Sequence, residues 1–201
     1  MYSLCIYIEE DTLLSRTGVT GDRKAVSDLW FFLQRLGVNC GNVWLGNLAK
    51  EYDIDFKQKG ISVRGEIYWA EYEEDDDYAL LSFDTETAWT ACTDFFTELN
   101  RVLDGKLSIS YKEIECGCGI FCVHDEGEYF PEACCVSSNG TPFEENYDEP
   151  FDTVSDAIDE WCEKMNINRN GRTENEMLEL IGNFEYENCD TYFYINKFDF
   201  V

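Results

Sequence analysis

Two aromatic and β-branched segments, residues 62–72 and 78–86, are separated only by the five acidic residues EEDDD. Val, Ile, Tyr and Trp favour strands, and a connection this short cannot form a parallel crossover, which needs about a dozen residues or more. The two segments therefore predict an antiparallel hairpin with a charged loop at its end. This hairpin restricts the chain to folds that contain an antiparallel sheet.

Helical patterns occur both before and after this hairpin. Asp22 precedes apolar residues at 26, 29, 30, 33 and 36, and Gly37 follows them, which is typical of an amphipathic helix with start and stop signals. A shorter helix is expected within 42–52 and a second core helix within 87–105. Two further helices are predicted from the capping pairs Thr153/Asp156 and Thr173/Glu176.

Further strands are expected at 4–8, 107–115, 119–123, 129–136 and 190–198. The segments from 107 to 136 are joined by short turns, including the acidic turn HDEGE, and predict a three-stranded meander. The predicted class is therefore α+β, an antiparallel sheet with helices packed mainly on one face.

With 201 residues, of which 44% are apolar, the chain is long enough for a substantial core, and its three prolines and lack of a Gly/Ser tract indicate no linker. We expect an α+β core over 1–140 and an acidic helical extension with a final strand over 141–201, packed on the core. The apolar start of the chain is interrupted by Glu9, Glu10 and Asp11, so neither a signal peptide nor a membrane span is predicted. The expected location is cytoplasmic.

Charge is distributed unevenly along the chain. Residues 1–65 contain eight basic and eight acidic residues, whereas residues 66–201 contain seven basic and 34 acidic residues and hold the entire net charge of -27. Such a field repels nucleic acid and anionic membranes and attracts basic proteins. We therefore expect a basic partner and no direct binding of nucleic acid or membrane.

The middle half of the chain resembles the ferredoxin-like proteins typified by the plasmid protein YubB, which occur on plasmids, phages and conjugative elements. The resemblance rests on VWLGNLAKEYDIDF, VRGEIYW, TETAW at 85–89, GCGIF at 117–121 and YFPE at 129–132. This chain departs from the family where Thr90, Ala91 and Cys92 replace the common Ser-Pro-Pro after Trp89. The resemblance implies a ferredoxin-like core and a mobile-element origin, and it implies no catalytic residue.

Five of the ten cysteines and the single histidine lie within residues 114–136. If 114–123 is one strand, Cys116, Cys118 and Cys122 share a face, and the first and last of these thiols lie roughly 20 Å apart, too far to bind one zinc ion. Cys116 and Cys118 could do so only with ligands from Cys134 or Cys135. Because free cysteine is commonly buried in a reducing compartment, we expect a packed thiol face, with a small metal- or thiol-dependent protein as the alternative.

Two other site hypotheses are weaker. His124 lies two residues after Cys122 at a predicted turn, where a solvated imidazole is more common than a catalytic one. The aromatic residues could stack bases, but residues 66–100 contain no Lys or Arg to meet phosphates, so a core role is favoured for them. These aromatic residues are Tyr68, Trp69, Trp89, Phe95 and Phe96. We expect no catalytic residue, metal site or cofactor.

The remaining candidates are two acidic segments, and we predict that they bind the partner. The residues are Glu71, Glu73, Glu74, Asp75, Asp76 and Asp77 in the first segment and Glu144, Glu145, Asp148 and Glu149 in the second. Carboxylates held on a rigid scaffold can compete for a basic groove that binds nucleic acid. The predicted function is a non-enzymatic interaction protein that inhibits a basic host defence protein by mimicking nucleic acid. A plain solubilising surface, or an assembly subunit that self-associates, is the other possibility.

Overall fold

The computed structural model describes residues 12–76, 78–88, 91–115, 119–126 and 128–201, with only the backbone described at 12–16 and 147. The predicted strand at 4–8 lies outside these residues. Ten strands occur in the described ranges: β1 Thr12–Gly21, β2 Val43–Trp44, β3 Gly65–Glu74, β4 Ala79–Ala88, β5 Leu107–Glu115, β6 Ile120–His124, β7 Cys134–Asn139, β8 Asn146–Phe151, β9 Tyr192–Lys197 and β10 Asp199–Phe200. Six helices occur there: α1 Arg23–Arg35, α2 Leu45–Glu51, α3 Phe56–Lys59, α4 Thr93–Val102, α5 Val154–Met165 and α6 Glu174–Gly182.

Among the described residues the chain forms two compact units, one of residues 12–129 with 200–201 and the other of residues 130–199. The predicted boundary after residue 140 falls in the second of these units, directly after β7. Within the described ranges, no helix is long and apolar enough to cross a membrane.

The larger unit contains a seven-stranded sheet in the order β10-β6-β5-β1-β4-β3-β2. β1 lies in its middle, where it pairs antiparallel with β4 on one side and with β5 on the other. The pairs β2/β3, β3/β4 and β5/β6 are antiparallel as well. The α+β class with a large, mostly antiparallel sheet is thus confirmed, and the ferredoxin-like arrangement within it remains a prediction.

Helices α1, α2 and α4 supply one side of the core of this unit. Alternate residues of β4, namely Ala79, Leu81 and Phe83, are buried together with side chains of these helices. The helix pattern read from the sequence is confirmed for α1, whose N-cap Asp22 accepts a hydrogen bond from the Ala25 amide at 3.0 Å. Burial of alternate strand residues and of one helix stripe is what period-2 and period-3.6 patterns produce.

The smaller unit contains a three-stranded sheet in the order β8-β7-β9 against which α5 and α6 pack. Trp161 is fully buried there and donates from Nε1 to the Tyr186 hydroxyl at 2.9 Å. Both predicted helix starts are confirmed, because Thr153 and Thr173 accept hydrogen bonds from the amides of Asp156 and Glu176. The predicted last strand is also confirmed, as β9.

One predicted arrangement is wrong: the three-stranded meander does not form, since β7 does not join β6 but lies between β8 and β9 in the other sheet. The separate strands expected at 107–115 and 119–123 are confirmed as β5 and β6, and Glu115 at the end of β5 pairs with Ile120 at the start of β6. Residues 114–123 thus do not form the single strand on which the spacing of the thiols depended. The argument that one strand separates Cys116 from Cys122 therefore fails, and Cys116 and Cys118 lie outside the described residues.

Candidate partner-binding surfaces

The first acidic segment lies at the β3–β4 hairpin, where part of the predicted charged loop belongs to a strand. Glu71, Glu73 and Glu74 belong to β3 itself, and Glu74 pairs with Ala79 across the hairpin. These three residues are exposed, as are Asp75 and Asp76. We call these five residues the hairpin surface; Asp77, the sixth predicted residue, lies outside the described residues.

Asp75 fixes the turn that ends the hairpin. Its amide donates to the Tyr78 carbonyl at 3.0 Å, and its carboxylate accepts from the Tyr78 amide at 2.9 Å. Aspartate at the first position of a turn commonly accepts such a bond from the backbone. The acidic residues are therefore part of a hydrogen-bonded hairpin, which holds their charges at defined positions.

The carboxylates of the hairpin surface differ in their partners. Glu74 forms an ion pair with Arg23 of α1 and accepts from the Tyr72 hydroxyl at 2.9 Å, and these bonds lower the pKa of Glu74. Glu73 accepts from the Tyr78 hydroxyl at 3.2 Å; partial desolvation of the exposed Tyr78 and this bond raise the Tyr78 pKa. The carboxylates of Glu71 and Asp76 form no ion pair with any residue that the structure describes. Charge therefore remains available on this surface.

The second acidic segment lies in the smaller unit, at β8 and directly before it. Glu144, Glu145 and Asp148 are exposed, and Glu149 is half-buried and accepts from Asn146 Nδ2 at 2.8 Å. Residues 146–151, for which no strand is predicted from the sequence, form the edge strand β8. We call these four acidic residues the β8 surface.

The β8 surface extends onto α5 through Glu160. Burial raises the pKa of Glu160 most and the Glu149 carboxylate raises it next; Lys164 lowers this pKa, and the carboxylates of Glu163 and Glu144 add smaller increases. Like charges close enough to raise a pKa repel one another and attract cations. One acidic surface thus lies in each unit.

The described thiols do not form a site. Cys134 and Cys135 are neighbours on β7, where successive side chains point to opposite faces, and both are buried. Burial raises the pKa of Cys134 to about 11, so its thiol stays protonated and unreactive at neutral pH. No group of three or more His, Cys, Asp or Glu side chains suited to a metal ion occurs among the described residues.

His124 lies at the end of β6 and is not a freely solvated turn residue. Its ring stacks on Tyr111, with ring centroids 5.2 Å apart, and its Nδ1 is 2.9 Å from the Val201 carbonyl oxygen. His124 and Tyr111 line a shallow groove of about 420 Å³ next to α4 that the sequence analysis did not predict. β6 reaches this groove through its pairing with β5, and such pairing between strands cannot be recognised from a local sequence pattern.

Two of the five candidate base-stacking aromatic residues are buried in the core. Phe95 and Phe96 belong to the core, with 0% and 4% of their surface exposed, so they cannot stack bases. Tyr68 is 38% exposed and Trp69 is half-buried on the acidic strand β3, and Trp89 lies outside the described residues. The preference for a core role is confirmed for the two phenylalanines.

Comparison with known proteins gives no match: no family model, no curated protein and no solved structure is significantly similar to the chain. The resemblance to YubB-like proteins therefore stays a prediction.

Proposed function

We propose that this protein is an acidic interaction protein that binds a basic partner through the hairpin surface and the β8 surface. The observation that carries the proposal is the exposure of Glu71, Glu73 and Asp76 on a hydrogen-bonded hairpin, without a Lys or Arg anywhere in residues 66–100. Ordered charges of one sign steer an oppositely charged partner and fix its register.

A solubilising surface alone would not require this order. Carboxylates in a mobile loop repel other molecules equally well, whereas here the strand holds Glu71 and Glu73 on one face. Their Cα atoms are separated by roughly 6.6 Å along the strand, about twice the 3.4 Å rise per phosphate of one DNA strand. This repeat supports the finer proposal that the partner is a nucleic-acid-binding protein whose basic groove the carboxylates occupy in place of phosphates.

We further propose a ferredoxin-like core and a mobile-element origin, with a host defence protein as the partner. The chain order β1-α1-β3-β4-α4-β5 and the sheet order β5-β1-β4-β3 support the fold, because each of two βαβ units is split by a strand of the other. The origin rests on the quoted motifs of the YubB-like proteins.

The test is capture of proteins from a bacterial lysate on three immobilised chains. These are the wild type, a hairpin variant and a control variant with the same charge change in the smaller unit. The hairpin variant is E71Q/E73Q/D76N and the control is E179Q/E185Q/E187Q; all six residues are exposed. The wild type and the control should retain basic nucleic-acid-binding proteins at low salt, and the hairpin variant should retain less.

Added duplex DNA should elute these proteins if the surface mimics nucleic acid, and high salt should elute them by screening. Identical captured sets on all three chains would mean that the hairpin surface only aids solubility. If added DNA does not elute the captured proteins, the proposed interaction stands but the proposed mimicry of nucleic acid is wrong.

A further inference from the structure

The outer edge of β3 is only partly covered. β2 pairs with β3 at two positions, Val43 with Ile67 and Trp44 with Glu66, and a bulge follows between Ile67 and Trp69. Among the residues that the structure describes, no strand pairs with this edge of β3 beyond the bulge. An uncovered strand edge presents main-chain donors and acceptors that another strand can bind.

At Ala70 a side chain takes the place of a neighbouring strand. The Asn39 carboxamide accepts from the Ala70 amide at 2.8 Å and donates from Nδ2 to the Ala70 carbonyl at 2.6 Å. This is the pair of bonds that a residue of an added strand would form. The Ala70 backbone therefore points away from β4, toward the outer edge.

The same direction follows for Tyr72 and Glu74, because the N–H and C=O groups of alternate residues in an antiparallel strand point to the same side. The hydrogen bond at the turn end of the hairpin is consistent with this alternation, since the Asp75 amide points toward β4 and donates to the Tyr78 carbonyl. Asp75, Glu73 and Glu71 thus point their backbone groups inward, and Glu74, Tyr72 and Ala70 point theirs outward. The backbone groups of Tyr72 and Glu74 are offered at the edge.

We propose that an extended basic segment of the partner binds as an additional strand along β3 at Tyr72 and Glu74. This inference rests on the proposed function and names how the hairpin surface recognises its partner. Main-chain bonds to Tyr72 and Glu74 give the added strand its register, and Lys or Arg at alternate positions face Glu71 and Glu73. Opposite charges directly across a pair of strands stabilise the pair.

A second copy of this chain is a poor occupant for the same edge. Pairing two β3 edges places the carboxylates of Glu71, Glu73 and Glu74 of one copy against those of the other. Like charges directly opposite one another destabilise strand pairs, and charged edges are a common protection against self-pairing. The charges thus reject a copy of this chain and accept a basic strand.

The test uses two synthetic nine-residue peptides that alternate Lys with Val or Thr. The second peptide has the same sequence and charge but carries N-methyl groups on two alternate backbone amides, so it cannot form the main-chain bonds on that side. Binding is measured by fluorescence anisotropy with the whole chain, and exchange of the Tyr72 and Glu74 amides is followed by NMR. The hairpin variant E71Q/E73Q/D76N and its control E179Q/E185Q/E187Q are measured in parallel.

The unmethylated peptide should bind about tenfold or more tightly than the methylated one, since at least one net hydrogen bond is lost on methylation. It should also slow exchange at Tyr72 and Glu74, and the hairpin variant should bind it more weakly than the control does.

Equal binding of both peptides would overturn strand addition while leaving the charge-based function intact, and failure of the unmethylated peptide to bind would overturn strand addition as well. Protection at amides outside β3, or protection at Tyr72 that rises with protein concentration in the absence of peptide, would also overturn it. The proposed function has its own test in the lysate capture, which does not depend on main-chain bonds.

Discussion

Replacing Asn39 by glycine removes both side-chain bonds to Ala70 while keeping a residue that tolerates the left-handed backbone at this position, where φ is 69°. Each neutral hydrogen bond contributes a net 0.5–1.5 kcal/mol or so, and water can replace part of this at an exposed edge. We therefore expect Asn39→Gly to lower the free energy of unfolding by about 1–2 kcal/mol through these two bonds.

Glycine also raises the entropy of the unfolded chain, so a matched control is needed. Asp104→Gly serves this purpose, because Asp104 is an exposed residue of the same unit with a left-handed φ of 59°. Urea unfolding of both variants should show a larger loss for Asn39→Gly. Hydrogen exchange should show faster exchange of the Ala70 amide in this variant alone.

If the two variants lose the same stability and the Ala70 amide exchanges at its wild-type rate in both, the Asn39 carboxamide does not close this edge. The description of β3 as an edge covered by a side chain would then be wrong. Tighter binding of the unmethylated peptide by Asn39→Gly would support this description of β3, since the Ala70 backbone groups would then be available to an added strand.

Three further predictions concern other parts of the chain. Arg101 and Lys59 lower the pKa of Glu98 to about 2. The stability that the charge of Glu98 confers is therefore present above its unfolded pKa of about 4.3 and is lost as the pH falls toward 2. In urea unfolding, the wild type and Glu98→Gln should differ in stability at neutral pH and become equally stable near pH 2. Exposed Cys40 should react with iodoacetamide at pH 8 well before buried Cys134, as mass spectrometry of the native protein would show, and equal rates would contradict the burial of Cys134. Thr173→Ala breaks the capping box of α6 and should cost about 1 kcal/mol of unfolding free energy, whereas Thr173→Ser should cost little.

Elements with strong local signals could be predicted from the sequence. α1 has both an apolar stripe and an N-cap at Asp22, and the β3–β4 hairpin has two long strand-forming runs around a short turn. The strand β1 was missed because Arg16 and Gly18 interrupt its pattern, although it occupies the middle of the large sheet. β8 was missed because its acidic residues and Pro150 disfavour strands, which an edge position tolerates.

Contacts between distant residues could not be predicted in the same way. The exposure of the hairpin carboxylates follows from their charge, but the pairing of Glu74 with Arg23 joins residues 51 positions apart. The Asn39–Ala70 bonds span 31 positions and depend on where the turn after α1 lies relative to the sheet. Local patterns specify elements, whereas the pairing of elements depends on the whole chain.

The central position of β1 has a consequence for how the chain is made. Its two neighbours, β4 and β5, are encoded at 79–88 and 107–115, so a ribosome releases β1 long before either can pair with it. At roughly 5–20 residues per second, the interval until both neighbours have emerged is on the order of several seconds. During that time both edges of a nascent β1 lack their partner strands, and pairing between strands so distant in sequence is intrinsically slow.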